Sequence, residues 1–253
     1  MRFPGLRLAV GTLTVIPVGP LPEIDPLIAR RAMLLAPLAA LPLAGAAGLA
    51  GGLASWFGLP ALVVGLLMVA VLAAGTRAMH LDGLADTVDG LGSGWDRERA
   101  LAVMKRGDVG PMGAIALILV LGLQAAALGD LVRGAGGALT AVLLICAARV
   151  ALTVVCLRGT PAARPTGLGV VVAGTVTRRD AALSWLGMLV VLTVALGLRS
   201  AWWLGVLATL IALGLVVALV RHCVRRFGGV TGDVMGAAIE VALTVMLLVC
   251  VAR

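Results

Sequence analysis

Seven apolar runs divide the chain, at roughly 32–53, 58–76, 111–129, 137–157, 182–198, 201–220 and 234–252, with polar breaks between them. Their lengths bracket the ~20 residues that carry an α-helix across the hydrocarbon core of a bilayer. The pattern predicts an all-α fold, a polytopic integral membrane helical bundle with about seven transmembrane helices. The fifth run is the shortest and joins the sixth through Leu198 to Ala201, so these two are expected to form a helical hairpin. A single membrane-embedded domain over 1–253 is expected. Within it, 1–30 reads as an N-terminal interfacial segment and 77–110 as a cytoplasmic, Asp-rich active-site loop. The opening MRFPGLRLAVGTLTVIPVGP has basic residues before apolar ones, as a signal peptide does. Its apolar stretch is broken by Gly11, Pro17 and Pro20, and no small-x-small cleavage site follows closely, so it is read as retained, interfacial or re-entrant.

Composition sharpens this picture. With 61% hydrophobic residues, 13% charged residues and a mean hydropathy of +1.13, the chain is excluded from the soluble globular class. A net charge of +8 raises the question of nucleic acid, but Tyr is absent, Phe and Trp total eight, and there is no basic helix to follow a phosphate backbone. Cys146, Cys156, Cys223 and Cys250 form no CxxC pair and fall in or beside apolar runs, so they read as buried free thiols.

The basic residues set an orientation. With the N-terminus inside, the cytoplasmic segments carry sixteen Lys and Arg, whereas the opposite side has only Arg133, Arg199 and Arg253; Arg149 lies within a run. This positive-inside bias predicts a cytoplasmic N-terminus in a multi-pass cell-membrane protein with an odd number of crossings. It also places every substantial polar segment on the cytoplasmic face. Chemistry confined to one face suits an enzyme better than a transporter, which needs access from both sides.

The stretch 77–110 holds six of the 12 acidic residues and five of the 20 basic ones. At its head stand Asp82, Asp86 and Asp89, spaced i, i+4, i+7. If the preceding apolar run continues as a helix, a step of about 100° per residue puts all three on one stripe, near the helix's C-terminal end. Each neighbouring pair of ionised carboxylates would repel by about 2–3 kcal/mol at ~6 Å and an effective dielectric near 20, and the helix dipole adds to that cost. A divalent cation removes both penalties, and an all-oxygen shell suits Mg²⁺ or Mn²⁺ bridging to a phosphate. The competing reading is a solvated acidic loop beside Arg97, Arg99, Lys105 and Arg106.

Other candidates follow from position. His80, two residues before the triplet, is a general base, a metal-shell residue or an interfacial histidine. Arg149, inside the fourth run, should face the bundle interior against phosphate or carboxylate. Glu240 in the last run is its structural partner in the alternative reading. Arg164, in the Gly/Pro-punctuated AARPTGLG, suits a phosphate clamp, and Lys105 is a further candidate substrate contact. Gly228-Gly229-Val230-Thr231-Gly232-Asp233 opens the last run. Gly229, Thr231 and Gly232 could present backbone to phosphate, and Asp233 could cap the helix, bind a cation or accept a proton. Acids for a cation, arginines for phosphate and a glycine-rich helix start together indicate phosphoryl transfer.

HLDGLADTVDGL, then RERALAVMKRGDVGPMGAIAL, Arg149, AARPTGLG and FGGVTGDVMGAAIE resemble, in order and spacing, the cobalamin synthase family, the adenosylcobinamide-GDP ribazoletransferases. The N-terminal LTVIPV is similar to that family's opening segment. The resemblance implies a membrane-embedded, Mg²⁺-dependent transferase for the last step of nucleotide-loop assembly in cobalamin biosynthesis. The ribose 3′-hydroxyl of α-ribazole or its 5′-phosphate attacks the cobinamide-proximal phosphorus of adenosylcobinamide-GDP, and GMP leaves. It carries onto this chain Asp82, Asp86 and Asp89 as Mg²⁺ ligands, Arg149 and Arg164 as phosphate contacts, and Asp233 as ligand or base. Partners implied are those substrates and the lipid bilayer, with a homo-oligomer or a complex with other enzymes of the pathway left open. One departure stands out: where the family pattern resembles MKDSRxG, this chain reads Met104-Lys105-Arg106-Gly107-Asp108-Val109-Gly110, so acid and base are exchanged and Asp108 is a further candidate. The alternatives are another Mg²⁺-dependent membrane phosphotransferase or prenyltransferase with an Asp-rich motif, or a non-enzymatic transporter.

Overall fold

The structure is a computed structural model that describes residues 3–198 and 200–252. Arg2, Arg199 and Arg253, which entered the charge count, lie outside the described residues. The described residues are mainly helical, and among them the only β-type pairings are two isolated bridges, Leu157 with Val176 and Ala162 with Val230.

The helices begin and end where local chemistry dictates. α1 (Pro4–Leu13) starts on a proline, and α2 (Pro26–Ala39) starts on another behind Asp25, whose carboxylate caps the Ile28 N–H. α2 runs through Ala40 into α3 (Leu41–Trp56), and together they make one long apolar span. α4 (Ala61–Gly75) is followed by a 90° bend into α5 (Met79–Gly92). Two non-glycine residues, Arg77 and Ala78, hold left-handed backbone at this bend. Such conformations persist only where the surroundings impose them; here the Val15 N–H donates to the Gly75 carbonyl at 2.8 Å and pins the broken end from α1's side. Short α6 (Arg97–Val103) is capped by Asp96 and leads to α7 (Pro111–Arg133). α8 (Gly137–Ala148) tightens into a 3₁₀ turn at Arg149–Ala151 before α9 (Leu152–Val155), and α10 (Leu168–Val172) sits in the long excursion that follows. α11 (Arg178–Gly197), α12 (Trp202–Phe227) and α13 (Gly232–Val251) complete the bundle.

Six of these spans are long and apolar enough to cross a membrane, or seven if the bent pair α4–α5 counts as one broken span. The chain is a multi-pass membrane protein. The expected hairpin of the fifth and sixth runs is present as α11 and α12. α12 reaches Phe227, seven residues beyond the run that predicted it, because Arg221, Arg225 and Arg226 extend the helix past its apolar stretch.

In lipid there is no hydrophobic drive between helices, so close packing rests on small residues. α4 and α7 cross reciprocally: Gly65 lies against the Ala125 carbonyl and Gly129 against the Ala61 carbonyl, with no room for a Cβ at either. Loops then meet at the two ends of the bundle. At one end Arg133 donates to the Leu59 carbonyl at 3.0 Å. At the other, Arg30 pairs with Asp180, Arg97 reaches the Ala163 carbonyl and Arg226 reaches the carbonyls of Leu91 and Gly94. This second end carries the polar chemistry.

Candidate active site

The site grows from the crossing of α5 and α13. A Cβ at Gly83 would stand 2.7 Å from the Asp233 carbonyl, and one at Gly236 would stand 2.9 Å from the His80 carbonyl. Two missing side chains thus let two backbones touch, and the contact brings the acid-bearing start of α5 against the first turn of α13. Asp86 is thereby in electrostatic reach of Asp82 and Asp233, and more weakly of Asp89, with Arg164 supplying the opposing charge.

Arg164 arrives from the excursion between α9 and α10. The strand-like pairing of this loop with the segment before α13 fixes its place: Ala163 donates to the Val230 carbonyl and Val230 to the Pro161 carbonyl, both at 2.9 Å. Gly229 makes that pairing possible, since a side chain there would collide with the backbone of Pro161 and Ala162. The Arg164 guanidinium then stands 3.5 Å from the Asp233 carboxylate and donates to the Leu101 carbonyl at 3.2 Å. Thr231 caps α13, its hydroxyl accepting from the Val234 N–H at 3.3 Å and donating to Asp233 at 3.1 Å.

These groups border a cleft of about 350 Å³. Of the residues singled out from sequence, His80, Asp82, Arg164, Thr231, Gly232 and Asp233 line it. Asp82 is exposed there, whereas Asp86 is buried one turn behind.

Other candidates go elsewhere. The expectation that the triplet lies near the C-terminal end of a continuous helix is corrected by the break at 76–78: Asp82 falls in the first turn of a new helix, where the dipole favours a carboxylate. Asp89 turns away from the cleft and accepts from the N–H groups of Gly110 and Gly113 at 2.7 and 2.8 Å, so it serves as a remote cap for α7. Lys105 is exposed in the turn after α6 and does not border the cleft. Asp108 lines a separate notch with Asp89 and Arg106.

Arg149 is also absent from the cleft. It is 2% exposed and donates to the Ile145 carbonyl at 2.6 Å. It faces a small space beside the cleft, shared with His80, Gln124 and Glu240. Gln124 donates to the Glu240 carboxylate at 2.7 Å, and the other Glu240 oxygen stands 3.8 Å from His80 Nδ1. His80 therefore touches both the cleft and this buried polar group.

Sequence reasoning missed Thr12 and Leu13 of α1, which form part of the cleft wall. No local signal marks them, because tertiary contacts, the packing of α1 on α2 and the Val15 bond to Gly75, bring them there. Thr166 to Gly169 lie in the same punctuated loop as Arg164 and could have been added from that alone.

The HLDGLADTVDG and GGVTGD segments, distant in sequence, thus build one cleft. The sequence model described as cobalamin-5-phosphate synthase matches residues 5–251. The chain belongs to that family.

Relatives in the cobalamin-5-phosphate synthase family cover almost its whole length. A protein of Nocardioides sp. is 50% identical over 249 residues, 98% of each chain, and is named adenosylcobinamide-GDP ribazoletransferase. Proteins of Frankia casuarinae and Bradyrhizobium diazoefficiens bear the same name at 41% and 39% identity, covering 96% and 98% of this chain and 92% and 93% of their own. No solved structure matches the chain.

Among the described residues no three His, Cys, Asp or Glu side chains stand together as a ready-made metal cage. The donor set still fits one cation class. Mg²⁺ keeps several waters and is commonly held by one or two carboxylates together with substrate phosphates, and the cleft offers carboxylates beside a guanidinium suited to phosphate.

Proposed function

We propose that this protein is a Mg²⁺-dependent transferase that joins α-ribazole, or α-ribazole 5′-phosphate, to adenosylcobinamide-GDP with release of GMP. The product is adenosylcobalamin or its 5′-phosphate. The observation that carries this reading is that Asp82, Asp233 and Arg164 line one cleft, with Asp86 buried one turn behind and in electrostatic reach of all three, in a chain whose relatives bear the name of that transferase.

Asp82 and Asp86 would hold the Mg²⁺, together with substrate phosphate and water. When bound, the cation would supply neutralisation of charge on the diphosphate oxygens. Arg164, 3.5 Å from the Asp233 carboxylate, would exchange that contact for a substrate phosphate. Release from Arg164 leaves the Asp233 carboxylate able to accept the proton of the attacking ribose hydroxyl. In that step the hydroxyl oxygen forms the new O–P bond, the O–P bond to GMP breaks, and the proton passes to the carboxylate. His80, at the cleft's inner wall, is the second candidate for that proton. A cleft of about 350 Å³ accommodates the diphosphate and adjoining sugar, while the corrinoid stays outside it. The excess of basic residues at this end of the bundle supports a cytoplasmic site on the cell membrane.

The test is product analysis with purified protein in nanodiscs, Mg²⁺ and adenosylcobinamide-GDP, offering α-ribazole and its 5′-phosphate in turn. One acceptor is expected to yield GMP and the joined corrinoid in equal amounts. GMP release without a joined product, or no turnover of either acceptor, would overturn the reading.

A further inference from the structure

A second basic feature lies apart from the cleft. Arg158, Gly159, Thr177, Arg178 and Arg179 line a cleft of about 460 Å³ at the head of α11. All three arginines are exposed, and none has a side-chain hydrogen bond or ion pair among the described residues. No acid borders this cleft. The nearest in sequence, Asp180, is already engaged: Arg30 pairs with it at 2.7 Å, and Thr177 donates to it through both N–H and hydroxyl. The same capping box occupies the start of α11, so what the cleft offers is guanidinium groups rather than open backbone donors.

Its place in the fold gives it a consequence. The Arg158 N–H donates to the Val176 carbonyl at 2.7 Å and the Val176 N–H to the Cys156 carbonyl at 3.0 Å. These bonds close the neck of the excursion that carries Arg164, Leu168 and Gly169 to the first cleft. Three mutually repelling cations therefore sit where this excursion leaves the membrane-spanning bundle, at the first residues of a span. If α11 crosses the membrane, its first residues fall near the headgroup region, where arginines are attracted to anionic lipid.

We propose that Arg158, Arg178 and Arg179 form a phosphate-binding site, distinct from the candidate active site, that anchors the neck of the Arg164 loop. The phosphate belongs either to the headgroup of an anionic phospholipid or to a soluble phosphate compound. The proposal is independent of the transferase reading, because its readout is ligand retention rather than turnover.

The experiment compares wild-type protein with an Arg158→Gln/Arg178→Gln/Arg179→Gln variant and an all-Lys variant at the same positions. Retained lipid is measured by native mass spectrometry after reconstitution in phosphatidylcholine with or without phosphatidylglycerol. In lipid-depleted detergent, thermal shift is measured against inorganic phosphate. A lipid site predicts preferential retention of phosphatidylglycerol by the wild type, about tenfold or more lost in the Gln variant and largely kept in the Lys variant. A soluble-phosphate site predicts no lipid preference, with a phosphate-dependent thermal shift in the wild type that the Gln variant lacks. Equal lipid retention and equal phosphate response in wild type and Gln variant would overturn the proposal. If the triple variant fails to insert, Arg158→Gln alone takes its place, and wild-type behaviour in both arms would overturn the proposal equally.

Discussion

Asp82, Asp86 and Asp89 share a spacing but not a task. Asp82 opens onto the cleft and Asp86 lies behind it, while Asp89 is spent on two N–H groups of α7. The three should therefore separate under mutation. Asp82→Asn and Asp86→Asn are expected to lower turnover at least about 100-fold with little loss of thermal stability, the loss expected when stabilisation specific to the transition state is removed. Asp89→Ala leaves one buried and one part-buried N–H without their acceptor and should cost about 2 kcal/mol of stability, read as a lowered midpoint in thermal unfolding in detergent. Charge spacing revealed the carboxylates from sequence. It did not reveal that one of them faces the other way, because the residue that captures Asp89 is a backbone amide with no side-chain signature. Arg149 carries the same lesson: a guanidinium inside an apolar run announces burial, yet its actual neighbours, Ile145, His80 and Glu240, depend on how three helices cross.

Between elements, the site depends on places where side chains are absent. Gly83 and Gly236 let α5 and α13 touch, and Gly229 lets the Arg164 loop pair with the start of α13. Gly236→Val is expected to push α5 off α13, lowering activity about tenfold or more by moving carboxylates relative to Arg164, whereas Gly187→Val, where an added Cβ meets no neighbour, should leave activity unchanged. Parallel assays on the two variants check this. Helix existence was legible because hydrophobic runs near 20 residues have one common use in a membrane. The break at 76–78 was not, since neither Arg77 nor Ala78 is a residue that usually takes left-handed backbone. The hydrogen bond from Val15 that stabilises it comes from a segment more than sixty residues earlier in the chain.

For the molecule as a whole, one end of the bundle carries nearly all the chemistry. Cysteine substitutions should report the side directly: a cysteine at Ser93, at the site end, is expected to react with a membrane-impermeant maleimide only in inside-out vesicles, and one at Ala135, at the opposite end, only in right-side-out vesicles. The reverse pattern would place the site outside. The two segments that built the strongest resemblance, HLDGLADTVDG and GGVTGD, are 147 residues apart from Asp86 to Asp233, and they meet because α5 and α13 are adjacent in the bundle. The account stands on Asp82 and Asp86 jointly holding a metal against a diphosphate, and Mn²⁺ substituted for Mg²⁺ makes that visible. Electron paramagnetic resonance of the wild type in nanodiscs with adenosylcobinamide-GDP should show bound Mn²⁺ with phosphorus hyperfine coupling, and Asp82→Asn/Asp86→Asn should abolish it. Bound Mn²⁺ with unchanged coupling in that double variant would contradict the account.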